Sequence, residues 1–142
     1  MIYRSKAPLR IGLAGGGTDV SPYADLFGGA ILNATISLSA HASIEPTQSG
    51  LIELEALDRN EKQTYALTPS LPIDGQLDLL KGVYNHIQIK YPFEIKGLKI
   101  STYVDAPAGS GLGTSSTLVV AILGAFVEML KLPLGDYDIA HL

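Results

Sequence analysis

The 142-residue sequence predicts an α+β fold, a mainly antiparallel sheet with helices on one side. Two patterns and their order predict it. Apolar and polar residues alternate over 36–44, 51–56 and 98–104, the period of a half-buried strand. Apolar residues recur at helical spacing over 77–91 and run almost unbroken from Leu118 to Val127. The order is several strands, a helix, a strand, a glycine loop and a helix. That is segregated α+β, not regular βαβ alternation. With 46% apolar residues the chain has ample material for one core, and a domain of this size buries about 70% of its unfolded surface. One domain is therefore expected over 1–142. No cysteine is present, which excludes disulfides and thiolate metal sites and fits a reducing, cytoplasmic setting.

From the N-terminus, "APLRIGLAG" has strand-compatible residues interrupted by Pro8, so it reads as an edge or a strand start. "GGGTDVSPYADLFGG" (15–29) has glycine at both ends and turn-rich residues between. Ile36, Leu38, Ala40, Ala42 and Ile44 alternate with Ser37, Ser39, His41 and Ser43 in a strand. "LIELEALD" places Ile52, Leu54 and Ala56 inward, and "KQTYAL" pairs with it as a hairpin across 58–61. Pro69 and Pro72 mark a loop. Leu77, Leu80, Tyr84, Ile87 and Tyr91 form one stripe of a helix that ends before Pro92. Leu98, Ile100, Thr102 and Val104 make another strand, and a helix runs from about Thr114 to Leu130. "LGDYDIAHL" starts a last helix with Asp136 as N-cap. It stops at Leu142 after barely one and a half turns, so a truncated longer protein is expected.

Net charge is -4, and the basic residues Lys90, Lys96 and Lys99 are scattered, so nucleic acid is not an expected partner. The N-terminus lacks an apolar signal region. Leu118–Val127 is shorter than the roughly 20 residues a bilayer span needs, so no membrane partner is expected either. His41, His86 and His141 are too far apart for metal-ligand spacing.

The chemistry concentrates in "PAGSGLGTSST", residues 107–117. It joins a strand to a helix start, where backbone N–H groups lack intrahelical partners and the helix dipole is positive. Gly109, Gly111 and Gly113 let the backbone approach a ligand closely. Thr114, Ser115, Ser116 and Thr117 add hydroxyls at the first turn. The pattern suits phosphate, with a hydroxyl free to ligate Mg²⁺. A strand-to-helix turn with hydroxyl caps would need the same residue types. Walker A fails, because Thr114 stands where its lysine would be. The even glycine spacing also fails G-x-G-x-x-G.

"PAGSGLGTSST" resembles the second motif of the GHMP kinases, and "RIGLAGGGTD" (Arg10 to Asp19) has the length and endpoints of the first motif of their galactokinase-like members. "APLRIGLAGGGTDVSPYADLFGGAILNATIS" is most similar to the branch that phosphorylates D-glycero-D-manno-heptose 7-phosphate at its anomeric oxygen, with fucose kinase domains as near relatives. The resemblance implies a ribosomal-protein-S5-domain-2-like sandwich, ATP and Mg²⁺ as cofactors, and a sugar or sugar phosphate as acceptor. It implies ATP binding by Pro107, Gly109, Ser110, Gly111, Leu112, Gly113, Thr114, Ser115 and Ser116, with Ser115 on Mg²⁺. It implies that Arg10 stabilises charge near the attacking hydroxyl, and that Gly16, Gly17, Thr18 and Asp19 meet the sugar.

"GGG" replaces the G-E-H of galactokinases, which removes an acid and an imidazole from the sugar site. The family's catalytic aspartate and second metal-ligand acid would lie beyond Leu142, as would the C-terminal domain. Asp136 and Asp138 fall at a helix start, the wrong context. The fragment alone is therefore expected to bind nucleotide weakly without turnover. A non-catalytic sensor of the same fold, a fucose or galactose kinase, and a kinase for an isoprenoid alcohol or homoserine stay open.

Overall fold

A computed structural model describes residues 1–142. Strands β1 (Tyr3–Ala14), β2 (Leu32–Pro46), β3 (Leu51–Ala56), β4 (Glu61–Ala66) and β5 (Leu98–Val104) form one sheet in the order β1-β2-β5-β3-β4. Helices α1 (Tyr23–Phe27), α2 (Asp78–Lys90), α3 (Thr114–Leu130) and α4 (Asp136–Ala140) complete the chain. Every strand pair is antiparallel except β3 with β5, which run parallel. The expected α+β class is the observed one.

Strand alternation sorts the sheet into two faces. Ala7 and Leu9, Ala40 and Ile44, Ile52 and Leu54, and Leu98 and Ile100 point to the helices and join one core with Tyr84, Ile87, Ile122 and Phe126. Each fully buried aliphatic side chain contributes about 1.5–3 kcal/mol relative to exposure. The other face carries Arg4, Lys6, His41, Ser43, Lys99, Ser101 and Tyr103, all half-buried or exposed. Gly124 lets α3 lie close to β1, since a Cβ there would meet Ser5 Oγ at 2.5 Å.

β1 runs through Pro8 and is an edge strand, one of the two placements expected of that segment. Other elements differ from expectation. β2 begins at Leu32, four residues before the alternating stretch, because its first half pairs with β1 alone. Leu38 stays exposed despite the pattern, because it falls between Thr35 and Ser39, where a bulge breaks the register with β1. The turn-rich 15–29 piece contains the short helix α1. Asp136 is not the N-cap of α4. Gly135 holds that position, and its N–H donates to the Asp138 carboxylate at 2.8 Å.

Candidate phosphate-binding site

β5 ends at Val104 and α3 starts at Thr114, so the glycine segment spans the C-terminal edge of a central strand and the N-terminus of the main core helix. Gly109, Gly111 and Gly113 all have positive φ, at 79°, 72° and 72°. That conformation explains why glycine stands at each alternate position. Pro107 opens the segment with a turn, its carbonyl accepting the Ser110 N–H at 3.2 Å.

The helix start is uncapped. Its N-cap is Gly113, which has no side chain to cap with. Ser116 Oγ donates to the Gly113 carbonyl at 3.3 Å and caps no N–H group. The first N–H of the helix start with a protein acceptor is that of Thr117, bonded to Gly113 O at 3.1 Å. From Gly111 to Ser116 no backbone N–H has a partner in the protein. A row of free donors at a helix N-terminus is what an anion needs. The hydroxyls of Ser115 and Ser116 are exposed beside it.

Arg10 meets this loop. A bulge follows Pro8, after which Arg10 opposes Thr35 instead of a residue near Ser37. There the Arg10 N–H donates to the Leu112 carbonyl at 3.1 Å. The guanidinium donates to Asn33 Oδ1 at 2.9 Å. Its Nε would lie 3.2 Å from a Cβ on Gly113. No carboxylate pairs with it, so its charge is uncommitted. Asn33 as the residue that orients Arg10 was not legible, because the contact depends on ribbon register.

The 15–19 turn is latched to the chain beyond α1. Thr18 Oγ1 lies 2.7 Å from the Gly15 carbonyl, and it accepts the Ala30 N–H at 3.1 Å. The Thr18 hydroxyl is thus engaged in holding the turn. Asp19 beside it is exposed and makes no hydrogen bond or ion pair. Gly16 and Gly17 have open space around them. The structure joins Arg10 to the loop, and no hydrogen bond or ion pair joins the Asp19 carboxylate to either.

Next to the loop is a cavity of about 330 Å³. Ala56, Val104 and Ala106 line it from the sheet side, Thr114, Ser115 and Leu118 from α3, and Gly75, Leu77 and Leu80 from opposite, with Asp58 and Arg59 at its margin. The 75–80 wall is fixed by charge. The Asp78 carboxylate accepts the N–H groups of Asp74 and Gly75 at 3.1 and 2.8 Å. Lys81, fully buried, reaches Asp74 Oδ1 at 2.5 Å and lies over the Tyr65 ring at 5.2 Å. Burial alone would lower the Lys81 pKa, but hydrogen bonds to Asp74 and Tyr65 outweigh it and hold the value above the usual lysine range. The same bond from Lys81, then the Gln76 N–H, holds Asp74 below the usual carboxylate range. No site role for this wall is legible from residue spacing alone. Its one signal was Asp78 three residues before Lys81 on the helix.

Asp105 does more than end β5. Its N–H donates to Ser39 O at 3.0 Å while its carboxylate accepts the Ser39 N–H at 2.8 Å. The same oxygen lies 3.2 Å from His41 Nε2. The Ser39 N–H first, then His41, holds the Asp105 carboxyl below its usual range. His41 is therefore a surface histidine with a carboxylate partner.

Residues 78–142 match the family described as GHMP kinases N terminal domain. The chain is 46% identical to the D-glycero-alpha-D-manno-heptose 7-phosphate kinase of Campylobacter jejuni, over 98% of this chain and 41% of that protein. It is 30% identical to the L-fucokinase/L-fucose-1-P guanylyltransferase of Bacteroides fragilis, over 96% of this chain and 17% of that protein. A solved D-glycero-D-manno-heptose 1-phosphate kinase from Bacteroides thetaiotaomicron superposes with a TM-score of 0.92 at 60% identity, covering 99% of this chain and 46% of that one. Mevalonate kinase of Methanococcus jannaschii, at 22% identity and a TM-score of 0.77, shares the fold. The chain spans less than half the length of each of these relatives. No helix is long and apolar enough to cross a membrane.

Proposed function

We propose, for a chain that belongs to the GHMP kinases as their N-terminal domain, that it is the nucleotide-binding part of a sugar kinase. The donor is ATP, the acceptor is a hydroxyl of a sugar phosphate, and D-glycero-D-manno-heptose 7-phosphate is the acceptor class favoured. The observation that carries this is the row of unpartnered N–H groups from Gly111 to Ser116. Identity of 46% to a heptose 7-phosphate kinase supports the acceptor. The Cys-free sequence agrees with a cytoplasmic setting.

The residues fit an ATP phosphate chain. Loop N–H groups from Gly111 to Ser116 donate to phosphate oxygens, and the positive-φ glycines keep side chains out of the way. The 330 Å³ cavity, apolar on the sheet side and edged by Asp58 and Arg59, takes the base. Ser115 lines that cavity and offers its hydroxyl to Mg²⁺. Mg²⁺ held there would supply positive charge that offsets the charge of the phosphates. No three carboxylate or histidine groups converge here, so Ser115 is the one ligand we assign in this chain.

Arg10 holds a fixed positive charge at the loop, oriented by Asn33, where charge on the transferred phosphoryl group is stabilised. The unpaired Asp19 carboxylate accepts protons from sugar hydroxyls, and Thr18 keeps that turn in place. Gly16 and Gly17 leave room for the sugar.

The test has two stages. ATP binding to this chain is measured by calorimetry with and without Mg²⁺. ADP release by the full-length protein is then measured with heptose 7-phosphate, fucose, galactose and mevalonate. Turnover on the heptose phosphate supports the whole reading. ATP binding without turnover on any acceptor moves the assignment to a nucleotide sensor. No ATP binding in either form overturns the loop assignment.

A further inference from the structure

The sheet face away from the helices carries a second cavity, of about 400 Å³. Arg4 and Lys6 of β1, His41 and Ser43 of β2, and Ser101 and Tyr103 of β5 line it. Strand register sets them in two rows. Arg4 opposes Ser43, which opposes Ser101, and Lys6 opposes His41, which opposes Tyr103. Arg4, Lys6, His41 and Tyr103 belong neither to the glycine loop nor to the cavity beside it.

The charge on this face is unbalanced in a specific place. Glu55 pairs with Lys99 at 3.2 Å, Glu53 with Lys62 at 3.0 Å, and Asp105 with His41 at 3.2 Å. Arg4 and Lys6 have no carboxylate within pairing distance, although the protein carries a net charge of -4. Two like charges two residues apart on one strand repel each other and await a counter-ion. The hydroxyls beside them are available. Ser43 Oγ and Ser101 Oγ make only 3.5 Å contacts, to Ser101 O and Glu55, and the Tyr103 hydroxyl has no partner.

We propose that this face binds a small phosphate monoester. The Arg4 fork and the Lys6 ammonium take the oxyanion, and the hydroxyls of Ser43, Ser101 and Tyr103 donate to its oxygens and to its polar body. A phosphate monoester carries close to two negative charges, matching the two free cations. A nucleic acid would need a longer basic track than this face has. The site stands independently of the kinase reading. His41 also touches Asp105, so an occupant lies one ion pair from the residue that anchors the strand before the glycine loop.

Backbone amide shifts of the chain, followed by NMR with glucose 6-phosphate and separately with succinate, test the site position by position. Glucose 6-phosphate is expected to move the amides of 4–6, 41–43 and 101–103 along a saturating curve, with succinate at least tenfold weaker. The Arg4→Gln/Lys6→Gln double variant is expected to weaken that binding at least tenfold. Its melting temperature and its ATP-induced shifts at 109–116 are expected to stay unchanged, since both side chains are exposed and unpartnered. Shifts confined to 107–116, shifts that never saturate, equal binding of succinate, or unchanged binding in the double variant would each overturn the proposal. None of those outcomes touches the loop assignment, which the ATP titration reads separately.

Discussion

Gly113 concentrates three demands on one residue. It holds a φ of 72°, caps α3 without a side chain, and leaves room for Arg10. Gly111 has the same φ of 72° but open space around its Cβ direction. The two glycines therefore separate backbone strain from contact. Alanine at either position costs about 1–2 kcal/mol for the left-handed backbone. Gly113→Ala should cost more than Gly111→Ala, because its Cβ must displace Arg10. Urea unfolding of both variants measures this, and equal losses would mean that Arg10 moves aside freely. Arg10 itself predicts a kinetic effect. In the full-length protein Arg10→Lys should lower kcat on the order of 10²-fold with little change in melting temperature. Lysine cannot donate to Asn33 from the same place while keeping a planar fork at the loop. A kcat within threefold of the parent would remove Arg10 from the machinery.

The elements divide into those whose cause is local and those whose cause is not. α3 was legible because an apolar run follows the glycines at once, and its first residue is the expected Thr114. The state of its N-terminus was not legible. Ser and Thr at a helix start look like caps, and only the geometry places the capless Gly113 there with the hydroxyls outside. The strand 98–104 and the hairpin partner 51–56 followed from alternation, since both lie in the covered part of the sheet. Alternation misled over Leu38, which falls in the β1–β2 bulge between Thr35 and Ser39, where the period of two is broken. The charged wall of the cavity beside the glycine loop was hidden for another reason. A lysine on a helix is usually solvated, and Lys81 is buried only because Asp74 and Tyr65 converge from the preceding hairpin and loop. That wall gives an element-scale prediction. Asp74→Asn should lower the melting temperature more than Lys81→Met, because the first strands a buried cation while the second keeps the apolar stem and removes the charge. Asp74→Asn should also speed amide exchange over 74–80. The reverse order of melting temperatures would mean that Asp78, 3.5 Å from Lys81, is the partner that matters.

At the scale of the whole molecule, composition gave the net charge but not where the titrating groups sit. Two carboxylates, Asp74 and Asp105, are held below their usual range, and Lys81 is held above its own. The signs follow from linkage. A depressed carboxyl contributes stability that is complete above the unfolded value near 3.9 and is lost as pH falls through the folded value. A raised lysine contributes stability that is complete below about 10.4 and is lost only as pH rises beyond that through its folded value. These three groups therefore add no slope near neutrality and act at the two ends of the profile. The acid limb is the testable one, because both carboxylates hold loops that flank the proposed nucleotide site, Asp74 through Lys81 and Asp105 through Ser39. Melting temperature followed from pH 7 to pH 2 should fall less steeply below pH 4 in Asp105→Asn than in the parent, from a lower starting value. The asparagine can still accept the Ser39 N–H but has no proton to gain. Parallel acid limbs would mean that the Ser39–Asp105–His41 junction does not depend on the carboxylate charge, and that the strand pairing alone holds β5 where the glycine loop begins.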